Sequence, residues 1–177
     1  FLAAGFLLPV ADPRFGLAVR VGLGLAVVGD LLLIGRARRW VLGGLVAFLL
    51  AHLADAGGAL TLIARAVTSG GAGAVASPGL TVLVGGLAGR LAGRWILPRA
   101  GDLRGPVTAY LVVVSVSGTA LVAAATSDPA GPGRWSLAGA GALLWVSDLA
   151  VARQRLMVDS FWNRVWGLPT YYGGQLL

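Results

Sequence analysis

The chain has 177 residues, 57% of them hydrophobic and only 12% charged, with a mean hydropathy of +0.83. Soluble domains carry about a quarter charged residues, so a water-borne globule is excluded. The +7 formal charge rests wholly on Arg, which flanks apolar runs and does not alternate with aromatics, so it argues for a lipid surface and against nucleic acid.

Seven apolar runs follow one another, at 1–10, 16–34, 41–66, 78–97, 106–125, 135–151 and 163–177. Spanning the roughly 30 Å hydrocarbon core takes ~20 apolar residues per helix, and none of the runs shows the period-two alternation of a barrel strand. The predicted fold is therefore all-α, a single polytopic transmembrane helix bundle over residues 1–177. The opening "FLAAGFLLPV" reads as the second half of a helix, which predicts a truncated first span here and eight spans in the full protein.

The connections are short and rich in Gly, Pro or charge, and their Arg content alternates. Ten Arg (36, 38, 39, 90, 94, 99, 104, 153, 155 and 164) flank one set of loops; four (14, 20, 65 and 134) flank the other. The positive-inside rule places the Arg-rich loops in the cytoplasm, and the Arg-only, Ala/Gly-rich usage suggests a bacterial inner membrane. Gly85, Gly89 and Gly93 fall four apart on one helix face and predict close approach of a neighbouring helix. Asp12, Asp102, Asp128 and Asp159 fall in loops, where solvent is expected to hold them.

Two acids break the pattern. Asp30 in "VVGDLLLIGR" and Asp148 in "LLWVSDLAVAR" lie inside spans, six and five residues before an Arg. An ionised Asp at membrane depth costs at least ~2.5–3.5 kcal/mol, so each must be paired, protonated or wetted. Tyr110, Tyr171, Tyr172 and Gln175 fall toward the same leaflet, and His52 lies nearer the midplane. Five helices thus direct polar groups to one half of the membrane, the pattern of a pocket opening to one side. Arg36 or Arg153 could instead clamp the acids, and His52 could pair with Asp55 one turn on.

These residues carry a resemblance. "GDLLL" at 29–33, "GGLVAFLLAHL" at 43–53, "AY" at 109–110, "GALLWVSDLAVAR" at 141–153 and "YYGGQLL" at 171–177 together resemble the YhhN family of membrane proteins, which includes lysoplasmalogenase. The resemblance implies an eight-helix hydrolase that cleaves the vinyl ether of a lysoplasmalogen, a lysophospholipid, to a fatty aldehyde and a glycerophospho-base, with no cofactor and no metal. Three departures stand out. Asp55 replaces an aromatic residue expected three positions after the His, Ser117 lies near the place of a usual Met, and a Lys-Pro element would fall upstream of Phe1.

Vinyl ethers open by protonation at carbon, which needs a neutral acid, an anion facing the resulting cation and a group that positions water. Asp30 and Asp148 are the expected pair, with Asp148 as the acid. His52 joins them as the third catalytic candidate, and Tyr110, Ser147, Tyr171, Tyr172 and Gln175 are the substrate-facing candidates. No G-x-S-x-G motif exists, so a serine-hydrolase mechanism is disfavoured. The competing functions are a small proton-coupled transporter or a lipid-binding membrane protein using the same acids, and a helical scaffold.

Overall fold

The computed structural model describes residues 12–69, 76–127 and 133–177, and they are almost wholly helical. Six helices run in order: α1 (Pro13–Leu33), α2 (Arg38–Thr68), α3 (Ala76–Ile96), α4 (Arg104–Ser127), α5 (Arg134–Leu156) and α6 (Phe161–Leu176). Two short 3-10 turns, Leu97–Arg99 and Gly101–Leu103, join α3 to α4. Among the described residues, five segments are long and apolar enough to cross a membrane. The sixth helix has 16 residues and contains Pro169, so the run at 163–177 does not meet that length. The run at 1–10 lies outside the described residues. The all-α architecture stands, with fewer full-length spans than the seven runs suggested.

Local signals set the helix ends. Asp12 caps α1, accepting from the backbone N–H groups of Arg14 (2.8 Å) and Phe15 (3.0 Å), with Pro13 next in line. Ser160 caps α6 in the same manner through the N–H of Trp162. Asp12 is also ion-paired to Arg65 at 2.5 Å, linking the start of α1 to the end of α2. It is thus a structural residue, not a loop acid held by solvent alone; Asp128 lies outside the described residues. Arg20 sits within α1 and flanks no loop.

Packing is by small residues. α1 lies along α2, α2 against α4, α4 between α3 and α5, and α5 against α6. At the α4–α5 crossing, a Cβ on Gly118 would lie 3.2 Å from the Gly141 carbonyl oxygen, and one on Gly141 would lie 2.9 Å from that of Gly118. The two backbones touch because neither carries a side chain. Gly85 and Gly89 serve α3 likewise, where a Cβ would strike Thr119 and Ser115 of α4, whereas Gly93 meets only Leu97 of its own chain segment. The core is correspondingly built from Ala with a few larger residues, such as Ala59, Leu121 and Ala124 in one cluster and Ile96, Val107 and Leu111 in another. Large apolar side chains such as Leu31, Leu83 and Val112 point outward, as expected of faces that meet lipid.

Candidate functional site

Asp30 lies one turn before the end of α1 and Asp148 two turns before the end of α5, and both line the same cavity. Each acid is met by a tyrosine from another helix. The Tyr171 hydroxyl of α6 donates to Asp30 Oδ2 at 3.0 Å, and the Tyr110 hydroxyl of α4 donates to Asp148 Oδ1 at 2.6 Å. From α2, His52 Nε2 comes within 3.1 Å of Asp148 Oδ2, an ion-pair distance without the alignment of a hydrogen bond. The His52 and Tyr110 rings meet edge to face at 6.0 Å, and Phe48 meets Tyr171 likewise at 6.2 Å. Five helices therefore converge on two acids.

Asp30, Tyr110, Ser147, Asp148 and Tyr171 line one cavity of about 460 Å³. His52 is buried behind Asp148. Tyr172 and Gln175 are not among the lining residues: the helical turn of ~100° per residue points Tyr172 outward beside Tyr171, and Gln175 lies a turn farther along α6, away from the cavity. Among the described residues no Arg clamps either acid, since the ion pairs are Arg65–Asp12, Arg164–Asp159 and His52–Asp148. His52 looks across to α5 instead of pairing with Asp55 on its own helix. Asp55 faces α1, where a Cβ on Gly22 would lie 2.7 Å from its Oδ1, and it interacts electrostatically with both His52 and Asp148.

A second, narrow space of about 50 Å³ adjoins the first and is lined almost entirely by apolar side chains, among them Val41, Leu45, Val107, Leu111 and Leu156. Leu33, Phe48, Tyr110, Asp148, Val151 and Arg155 line both spaces. Asp148 therefore stands where the wider chamber that holds both acids meets a narrow, mostly apolar slot.

The chamber's other end is charged. Arg36, Arg155, Asp159 and Arg164 line it where α1, α5 and α6 reach the bundle's edge. Hydrogen bonds from the Gln154 amide and the Arg164 guanidinium hold the Asp159 carboxyl below its ordinary range. Asn163, buried at the base of this rim, donates to Gln154 (2.8 Å) and to the Val158 carbonyl (2.6 Å) and accepts from Arg153. The sequence reading used these Arg residues for topology, with Arg36 also as a possible clamp on Asp30, and passed over Asn163. An Asn three residues after the Ser160 cap was its single signal, and a loop polar residue gives the same one.

The fold and site define a polytopic helical membrane protein whose intramembrane acids face an internal cavity. The chain belongs to the YhhN family, whose model matches residues 1–177, the whole sequence. No match was found among curated proteins or among solved structures.

Proposed function

We propose that the protein is a membrane hydrolase that cleaves the vinyl ether of a lysoplasmalogen, releasing a fatty aldehyde and a glycerophospho-base. The observation that carries this reading is the position of Asp148 at the junction of the acid-bearing chamber and the narrow apolar slot. In a 1-alkenyl lysophospholipid the vinyl ether is the link between polar glycerol and hydrocarbon chain. A substrate seated with each part in matching surroundings brings that link to Asp148. Membership of the YhhN family supports the same reading.

The chemistry then divides between the two acids. Two groups, the Tyr110 hydroxyl and His52 Nε2, converge on Asp148, whereas Asp30 receives only Tyr171 among the described residues. A hydroxyl donor and a nearby imidazole suit an anion, so Asp148 serves as the carboxylate facing the developing oxocarbenium ion. Asp30 supplies the proton, the reverse of the assignment expected from sequence. The proton goes to the vinyl carbon distal to oxygen, the C=C electron pair forming the new C–H bond. Water adds to the oxocarbenium carbon and gives up a proton to the Asp30 carboxylate, which leaves a hemiacetal. As the hemiacetal collapses, Asp30 protonates the departing glycerol oxygen and takes up the hemiacetal hydroxyl proton; the C–O bond to glycerol breaks, leaving the aldehyde and the protonated acid. The Arg-rich loops lie on the cytoplasmic side of the bacterial inner membrane in this reading, so the chamber opens toward the cytoplasm.

The test is turnover in D2O. Purified protein in detergent is given a 1-alkenyl glycerophosphoethanolamine, and the aldehyde is trapped at once for mass spectrometry. One deuterium at the carbon next to the aldehyde carbonyl is the expected result. Absence of aldehyde contradicts hydrolysis, and an aldehyde without deuterium contradicts protonation at carbon.

A further inference from the structure

The charged rim has no part in the bond-breaking step, yet it is the most polar surface of the chamber. Arg36 follows the end of α1, Arg155 ends α5 and Arg164 begins α6. Three helix ends thus bring three guanidinium groups to one opening. Among the described residues, Arg36 makes no hydrogen bond or close ion pair, although it and Arg164 both act on Asp159. The Arg164–Asp159 pair, at 3.2 Å, is more than half exposed on both sides, and such pairs contribute little and exchange readily. Arg155 is anchored by donating to the Leu33 carbonyl at 2.5 Å, which fixes the rim to α1. Three positive groups and one negative leave the opening cationic, with the lone carboxylate on its outer, exposed side.

We propose that this rim is a binding site for the zwitterionic phosphodiester head group of a lysophospholipid. Arg36 and Arg164 take the phosphate, and Asp159, released from Arg164, takes the ammonium. A planar guanidinium presents paired N–H donors that match two phosphate oxygens, which a carboxylate-lined or neutral opening could not do. The reach fits. Arg155, which shares the chamber lining with Arg36 and Arg164 and so marks the level of the rim, is seven residues from Asp148 on α5, about 10 Å along the helix axis at ~1.5 Å per residue. Five bonds of about 1.5 Å separate phosphorus from the sn-1 ether oxygen, and flexible Arg side chains cover the remainder. The assignment rests on the proposed substrate class. It gives head-group recognition to residues outside the substrate-facing candidates, of which Tyr110 is engaged by Asp148 and Gln175 does not line the chamber.

Binding separates this site from the chemistry. The saturated 1-hexadecyl glycerophosphoethanolamine has no vinyl ether to cleave, and 1-hexadecylglycerol lacks the head group altogether. Affinities for both are measured by titration calorimetry in a phosphate-free maltoside, on wild type, Arg36→Gln, Arg164→Gln and the double variant. The phospholipid is expected to bind at least about ten-fold more weakly to the double variant, with hexadecylglycerol unchanged. Asp159→Asn is expected to lose the preference for the ethanolamine lipid over its head-group-free phosphate monoester. Equal losses for both lipids, or no loss for either, overturns the assignment. Inorganic phosphate that binds through Arg36 and Arg164, with phospholipid affinity untouched by the substitutions, makes this a free-phosphate site and overturns it as well. Head-group-dependent binding without any aldehyde from the vinyl ether lipid upholds the site while removing the hydrolase reading.

Discussion

Tyr110 donates to one oxygen of Asp148 at 2.6 Å while His52 stands 3.1 Å from the other, so a single carboxyl of α5 is gripped from α4 and α2 at once. The hydroxyl holds the carboxyl's orientation as well as stabilising its charge. Tyr110→Phe keeps the ring and its edge contact with His52 but deletes the donor. In the proposed mechanism, kcat for vinyl ether cleavage should fall by about 10²-fold, the usual scale for loss of one electrostatic donor, with KM little changed. Steady-state kinetics in detergent measure the split; a change in KM alone would assign Tyr110 to substrate binding instead.

The contact of Gly118 with Gly141 leaves no volume for a side chain, and carbonyl oxygens on both sides cannot rotate away. Gly118→Val should therefore destabilise the bundle by about 1–3 kcal/mol through overpacking. By contrast Gly86→Ala, where nothing lies within 4 Å of the added carbon, should leave the unfolding temperature unchanged or slightly raised. Thermal unfolding of both variants in one detergent makes the comparison.

Asp12 supplies a pH dependence whose direction is fixed. The Phe15 backbone N–H foremost, then that of Arg14 and the charge of Arg65, hold its carboxyl below the ordinary 3.8. A carboxyl depressed in the folded state adds stability that is complete above the unfolded value and is lost as pH falls through the folded one. Asp12→Asn keeps a capping side chain but not the charge. Wild type should unfold at a higher temperature than Asp12→Asn at pH 6, and the gap should close as pH drops below about 3.8. A gap that persists unchanged at low pH would mean the Arg65 pair does not contribute.

Asn163 joins α5 to α6 through Arg153, Gln154 and the Val158 carbonyl. Asn163→Leu removes three hydrogen bonds of one buried side chain at once, a loss of about 0.5–1.5 kcal/mol for each, since the partners are only part-buried and can turn to water. The loop at 157–160 should then exchange amide hydrogens faster, and the Tyr171–Asp30 bond carried by α6 should loosen with it. Hydrogen exchange followed by mass spectrometry reads the first effect, and reduced turnover reads the second.

How far the sequence reached differs by level. Apolar run length and the lack of period two revealed helices and membrane, because the bilayer leaves a chain no other way to satisfy its backbone. Asp30 and Asp148 were legible as a pair since a charge in a span stands out against its surroundings. Their tyrosine partners were legible only by depth, which separates neither Tyr171 from Tyr172 nor a cavity-facing group from one a turn beyond it, such as Gln175. The choice between a His52–Asp55 and a His52–Asp148 pairing needed the crossing of α2 and α5, which no local pattern encodes. Arg36, Arg155 and Arg164 had a ready explanation as topology signals, and that explanation hid their convergence on one opening.

The central claim is that Asp30 and Asp148 act together in one chamber on a vinyl ether. Its most direct test is kcat for a 1-alkenyl glycerophosphoethanolamine with wild type, Asp30→Asn, Asp148→Asn and the double variant, each confirmed folded by its unfolding temperature. Each single variant should lose at least about 10²-fold, and the double should lose little more than either, because partners in one step are not additive. Wild-type turnover in both single variants would contradict the account.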